Sequence, residues 1–153
     1  MKTLFYFNIL TSLLILITVY ILEFGFGMVP CEMCLIERYQ YYALIFLGIV
    51  GIISEEKFKK ISIYIIILVL IIGIAYTVNH VGIERGIFEG NSSCSGSFSS
   101  TVIKEDLLKN IEQAPLVRCD VATYLFNLIS VAESNLIVSI ILLVSNLYLI
   151  FKK

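Results

Sequence analysis

Near-continuous apolar runs at Leu4–Leu22, Leu35–Ile53, Ile61–Val78 and Val131–Phe151 alternate with polar stretches of very unequal length. Each run is close to the roughly 20 residues a helix needs to cross a hydrocarbon layer about 30 Å thick. The pattern therefore predicts four membrane-spanning helices and places both termini on one side. Glu23–Pro30 and Ser54–Lys60 are short links, whereas Asn79–Ser130 is long enough to hold structure of its own. Within it, Asn91 to Ser97 is turn-rich. Thr101–Glu112 sets Ile103, Leu107, Leu108 and Ile111 at helical spacing against Lys104, Glu105 and Lys109, the pattern of a short helix on the membrane interface, ended by Ala114-Pro115. No repeat or second domain breaks the pattern, so the expected fold is an all-α four-helix transmembrane bundle, one domain over residues 1–153. The first run follows Met1-Lys2 like a leader, but Glu23 to Gly27 offers no small-x-small cleavage site, and we read it as a retained helix.

Composition sharpens this. With 59% hydrophobic and 15% charged residues and a mean hydropathy of +0.95, the chain falls outside the soluble range and takes the lipid bilayer as solvent. No basic run suits nucleic acid. Lys2, Lys57, Lys59, Lys60, Lys152 and Lys153 all fall on one face, which the positive-inside rule makes cytoplasmic. Both termini are then expected in the cytoplasm and all four cysteines outside. Tyr6, Tyr64 and Tyr148 fall near the inner helix ends, and Tyr20, Tyr39, Tyr41, Tyr42 and Tyr76 near the outer ends, as two aromatic belts.

The chemistry lies in the cysteines. Cys31-Glu32-Met33-Cys34 opens the second span, and Pro30 before it suits a helix start, putting both thiols in the first turn, where unpaired N–H groups and the helix dipole favour a thiolate. Arg38 lies one turn beyond Cys34 on the same face. Glu37 and Arg38 fall inside the outer membrane boundary, where charges are costly and usually functional; the alternative is an Arg38 that snorkels to lipid phosphate while Glu37 pairs with it or faces water. A metal site is a rival reading, although zinc normally takes four N or S ligands and the chain offers four cysteines and one histidine. A static clip is another, although so short a loop removes little chain entropy. Redox exchange is the expected role, with no metal.

Cys94 and Cys119 enclose about 25 residues, a loop whose closure is worth roughly 3 kcal/mol if they pair. Stability alone could account for them, but Cys94 lies in a Ser/Gly stretch open to in-line attack by a partner thiolate. Four cysteines allow three pairings, and a relay would use more than one.

Pro30-Cys31-Glu32-Met33-Cys34-Leu35-Ile36-Glu37-Arg38 resembles the PCxxCxxER motif of the DsbB family, bacterial membrane enzymes that reoxidise a periplasmic thiol oxidase and pass electrons to quinone. The resemblance covers nearly the whole chain: four helices, the early outer CxxC, a cysteine pair in the second outer loop and lysine-rich inner ends. It implies a quinone-proximal dithiol at Cys31 and Cys34, a second redox pair at Cys94 and Cys119, and quinone binding by Arg38 and by His80 at the outer end of the third helix. Ubiquinone or menaquinone as cofactor, a periplasmic DsbA-like thioredoxin-fold partner and a location in the bacterial inner membrane follow from it as expectations. Ser130, Ala132 and Asn135 echo a weaker family pattern and are assigned to packing. The vitamin K epoxide reductase type also carries a membrane CxxC, but late in the chain. A non-catalytic membrane protein with two structural disulfides and a partner-binding outer loop is the rival from another class.

Overall fold

The computed structural model describes residues 2–89, 119, 124, 125 and 128–152. Cys94 and the interfacial helix expected over Thr101–Glu112 lie outside the described residues. Helix α1, Lys2–Tyr20, continues into a π-helical turn at Ile21–Gly25; α2 spans Glu32–Ile53, α3 Glu56–Glu84 and α4 Val131–Phe151. Ahead of α4, the two-residue strands β1, Tyr124–Leu125, and β2, Ile129–Ser130, pair antiparallel. The four helical segments, of 24, 22, 29 and 21 residues with the π turn counted in the first, are long and apolar enough to cross a membrane.

Three of the four predicted spans match within a few residues; α3 overshoots. Lys57, Lys59 and Lys60 extend it at one end and Asn79 to Glu84 at the other, because helix-compatible polar residues continue the hydrogen-bond ladder where hydropathy stops. At 1.5 Å per residue α3 is about 43 Å long, longer than the hydrocarbon layer is thick, so its charged ends project from it.

The helices pack in chain order, α1 on α2, α2 on α3 and α3 on α4. Lipid tails are as apolar as leucine, so burial supplies little drive between spans, and close backbone approach with interhelical hydrogen bonds takes over. A Cβ at Gly51 would run into the Phe5 ring and one at Gly73 into the Gln40 amide. Phe5, Leu44, Ile66, Leu70 and Leu142 form the apolar core. Around it the usual distribution is inverted: Phe46, Ile72 and Tyr64 face outward, whereas Asn8, Gln40, Thr77, Ser139 and Asn146 are buried. Asn8 and Asn146 exchange amide hydrogen bonds of 2.7 and 3.0 Å between α1 and α4. Such an arrangement fits a bilayer and would be costly in water.

The bundle has two chemically distinct poles. Thr3, Lys60, Phe151 and Lys152 line a cavity at one end, where the first turns of α1, the N-terminal part of α3 and the end of α4 come together. The end of α1, the start of α2, the end of α3 and the start of α4 meet at the other, joined by Arg38 to Glu23 and by Ser130 to Glu84.

Candidate active site

Cys31 is the N-cap of α2 and not part of its first turn: its φ and ψ are −72° and 167°, and its sulfur accepts the Cys34 backbone N–H at 3.2 Å. Pro30 thus lies two residues further out than a helix-opening proline, which would stand at Glu32. The two thiols face each other with their sulfurs 2.7 Å apart. The expectation of a favoured thiolate does not hold at Cys31, because the Cys34 sulfur and then burial hold its thiol above the ordinary cysteine range, against the opposing pull of His80. Buried Cys119 (2% exposed) packs with Cys31, Met33 and Ile83 in one cluster, flanked by Cys34 and Tyr76. Residues from the second span, the third span and the long loop therefore converge on the CxxC.

Behind Cys31 lies His80, which is fully buried, with its Nε2 3.5 Å from the Cys31 sulfur. Its Nδ1 is 2.8 Å from Glu37 Oε1. Glu37 Oε2 accepts the Asn135 amide N–H at 2.7 Å, and the same Nδ2 lies 3.2 Å from Thr77 Oγ1. Thr77 gives its own O–H to the Gly73 carbonyl at 3.0 Å, so its lone pairs face Asn135 and the amide orientation follows. Tyr41 donates to Asn135 Oδ1, and Gln40 donates to Ser139 Oγ at 2.7 Å. A neutral imidazole whose Nδ1 donates to the Glu37 carboxylate turns its Nε2 lone pair toward Cys31.

In front of the thiols is a cavity of about 80 Å³, walled by Leu16, Val19, Leu22, Met28 and Val131, with Cys31, Cys34, Glu37, Arg38, Tyr41 and Asn135 on its polar side. Arg38 Nη1 holds Glu23 Oε2 at 2.6 Å, and its guanidinium stands 5.3 Å from the Tyr20 ring centre. Arg38 Nε is buried with no hydrogen-bond partner among the described residues. Arg38 also lines the apolar cleft beside the two thiols, so a hydrogen-bond donor without a partner belongs to a cleft-lining side chain.

The sequence-derived residues are thus brought together in part. Cys31, Cys34 and Arg38 share the cavity; His80 contacts Cys31 but is not among the cavity-lining residues. Arg38 neither snorkels nor pairs with Glu37, and Glu37 bonds His80 and Asn135. Three contributors were not assigned this part in sequence: Glu23, Glu37 and Asn135. Their signal was polarity within or at the edge of a span. Asn135, expected only to pack, bonds the carboxylate; Tyr41, expected in the outer belt, is 3% exposed inside the bundle. Cys31 Sγ, Cys34 Sγ and His80 Nε2 lie within 4.8 Å of one another. Zinc normally takes four N or S ligands, and this group offers three.

Comparison with known proteins places this geometry. The family model described as Disulfide bond formation protein DsbB matches residues 1–149. A protein of Rickettsia prowazekii (strain Madrid E), described as uncharacterized protein RP370, is 29% identical over 138 residues, covering 87% of this chain and 78% of that protein.

Proposed function

The chain belongs to the DsbB family of disulfide bond formation proteins, and from that premise we propose that it is a quinone-dependent protein-thiol oxidase of the bacterial inner membrane. In this reading all four cysteines face the periplasm, and the protein reoxidises a DsbA-like thioredoxin-fold partner. The observation that carries it is the convergence of Cys119 with Cys31 and Cys34 in one buried cluster beside Arg38. A static clip would have no use for a third cysteine or an unpartnered guanidinium N–H at that point.

The partner's thiolate attacks Cys94 of a Cys94–Cys119 disulfide, forming a mixed disulfide and releasing Cys119. The partner's second thiol resolves the mixed disulfide, so the partner leaves oxidised and the loop pair is reduced. Cys119 then attacks Cys31, displacing Cys34, and Cys94 takes Cys119 back, leaving the inner pair as the dithiol. Arg38 Nε, the apolar cleft and, by way of Cys31, His80 form the quinone site. Bound quinone, ubiquinone or menaquinone, accepts two electrons and two protons. Cys34 re-forms its bond to Cys31, and Arg38 steadies the negative charge that passes through the Cys34 sulfur.

The test is quinone reduction by the purified protein with a reduced thioredoxin-fold donor. Cys34→Ser should abolish turnover while leaving the helical content intact. Near-normal turnover in that variant would overturn the assignment.

A further inference from the structure

Forming the Cys31–Cys34 bond removes a proton from each sulfur. The Cys31 thiol sits in the buried cluster with its sulfur against Cys34, so it needs a base at hand when the bond forms. Those surroundings also hold it protonated. His80 Nε2, 3.5 Å away, has its other nitrogen on Glu37, whose second oxygen is held by Asn135. This is the order of nucleophile, base and orienting group that activates thiols elsewhere. Glu37 also lies on the cavity wall, whereas His80 does not.

Resting on the assignment of Cys31 and Cys34 as the inner dithiol, we propose that Cys31, His80 and Glu37 form a buried proton relay, in which His80 Nε2 is the base for the Cys31 thiol and Glu37, positioned by Asn135, carries the proton to the cavity wall.

The step balances. As the sulfur–sulfur bond forms, two electrons leave through Cys34, and the Cys31 proton passes to Nε2. The Nδ1 hydrogen moves to Glu37 Oε1 and is presented to the cleft, the Cys34 proton passes directly into the cleft that Cys34 lines, and both protons go with the two electrons to the quinone of the proposed function. When Cys119 later breaks the Cys31–Cys34 bond, Cys34 leaves; when Cys94 then takes Cys119 back, Cys31 leaves as a thiolate and recovers its proton from Nε2. Nδ1 is refilled through Glu37 with a proton released by the donor thiols, which resets the imidazole. Asn135 gives Glu37 one fixed orientation, because its amide is itself set by Thr77 and Tyr41.

Other ionisable groups border this path. Cys34 and Arg38 lie on α2; Glu84 on α3 has Oε1 4.0 Å from His80 Nε2, with its other oxygen bonded to Ser130. Glu23 reaches the site through Arg38, and Cys119, Tyr41 and Tyr76 pack nearby. Glu84 is the one carboxylate besides Glu37 within 4 Å of the ring among the described residues.

The test uses full-length, quinone-free protein in which Cys34, Cys94 and Cys119 are serine, following alkylation of Cys31 by iodoacetamide against pH. With His80→Ala the rate at neutral pH should fall by roughly 10²-fold, the scale of a positioned base. Glu37→Gln should lower it about tenfold, as loss of a partner that orients a histidine does, moving the midpoint to higher pH; Glu37→Asp should restore part of the shift. Asn135→Ala, which leaves Cys31, His80 and Glu37 in place, should move the midpoint the same way and serves if the charged-site variants fail to fold. Superimposable profiles for wild-type background, His80→Ala, Glu37→Gln and Asn135→Ala would overturn the relay. Such profiles beside intact quinone reduction remove the relay alone, whereas shifted profiles in a protein that reduces no quinone remove the function alone.

Discussion

Arg38 divides its donors: Nη1 pairs with Glu23, while Nε has no partner among the described residues and is the donor the proposed function assigns to quinone. The Glu23 pair holds the guanidinium plane in place, so the free N–H points from a fixed support. Lysine keeps the charge but loses the fork that serves both tasks. Arg38→Lys should therefore raise the apparent quinone KM by about tenfold, the worth of one charge-assisted hydrogen bond, with exchange between the partner and the loop pair unchanged. Steady-state kinetics with quinone varied at saturating donor checks this; an unchanged KM would return Arg38 to packing. Cys31 makes a related point. The helix N-terminus favours a thiolate in general, yet here the neighbouring sulfur and burial win and the thiol stays protonated.

At the scale of elements, the helices are positioned by polar ties more than by apolar fit. The π-helical turn at Ile21–Gly25 widens the end of α1 just where Glu23 meets Arg38, a common use of such a turn. Ser130 caps α4, with Glu133 closing the box, and also bonds Glu84, locking α4 to α3 beside the dithiol. At the opposite pole Asn8 and Asn146 tie α1 to α4. Asn146→Leu would leave the Asn8 amide short of its cross-helix partner and should destabilise the bundle by about 1–2 kcal/mol, while the double change with Asn8→Leu should recover most of it. Unfolding of the single and double variants in mixed micelles measures both; equal losses in the two would contradict the account. Four helices and their approximate ends were legible in hydropathy alone. The length of α3 was not, because a helix continues past its apolar run wherever polar residues keep the ladder.

For the whole molecule, the lysine-rich pole and the thiol-rich pole lie at opposite ends of the bundle, as the proposed function requires. The positive-inside rule predicts that the lysine pole faces the cytoplasm, and labelling tests it. In a cysteine-free background, Glu89→Cys should react with a membrane-impermeant maleimide in intact spheroplasts and Lys57→Cys only after lysis. The reverse labelling would put the dithiol in a reducing compartment and end the quinone scheme.

By itself the sequence determined the number of spans, which residues share a pole, and the CxxC with Arg38 one turn on, because these depend on hydropathy and on spacing within one helix. Only the tertiary structure decided that Glu37 serves His80, that Arg38 pairs with Glu23, that Asn135 holds the carboxylate and that Cys119 comes to Cys31. Those partners lie from 15 to nearly 100 residues apart, and which of them meet is set by the rotation and depth of each helix against its neighbours, to which a one-dimensional pattern of apolar positions is blind.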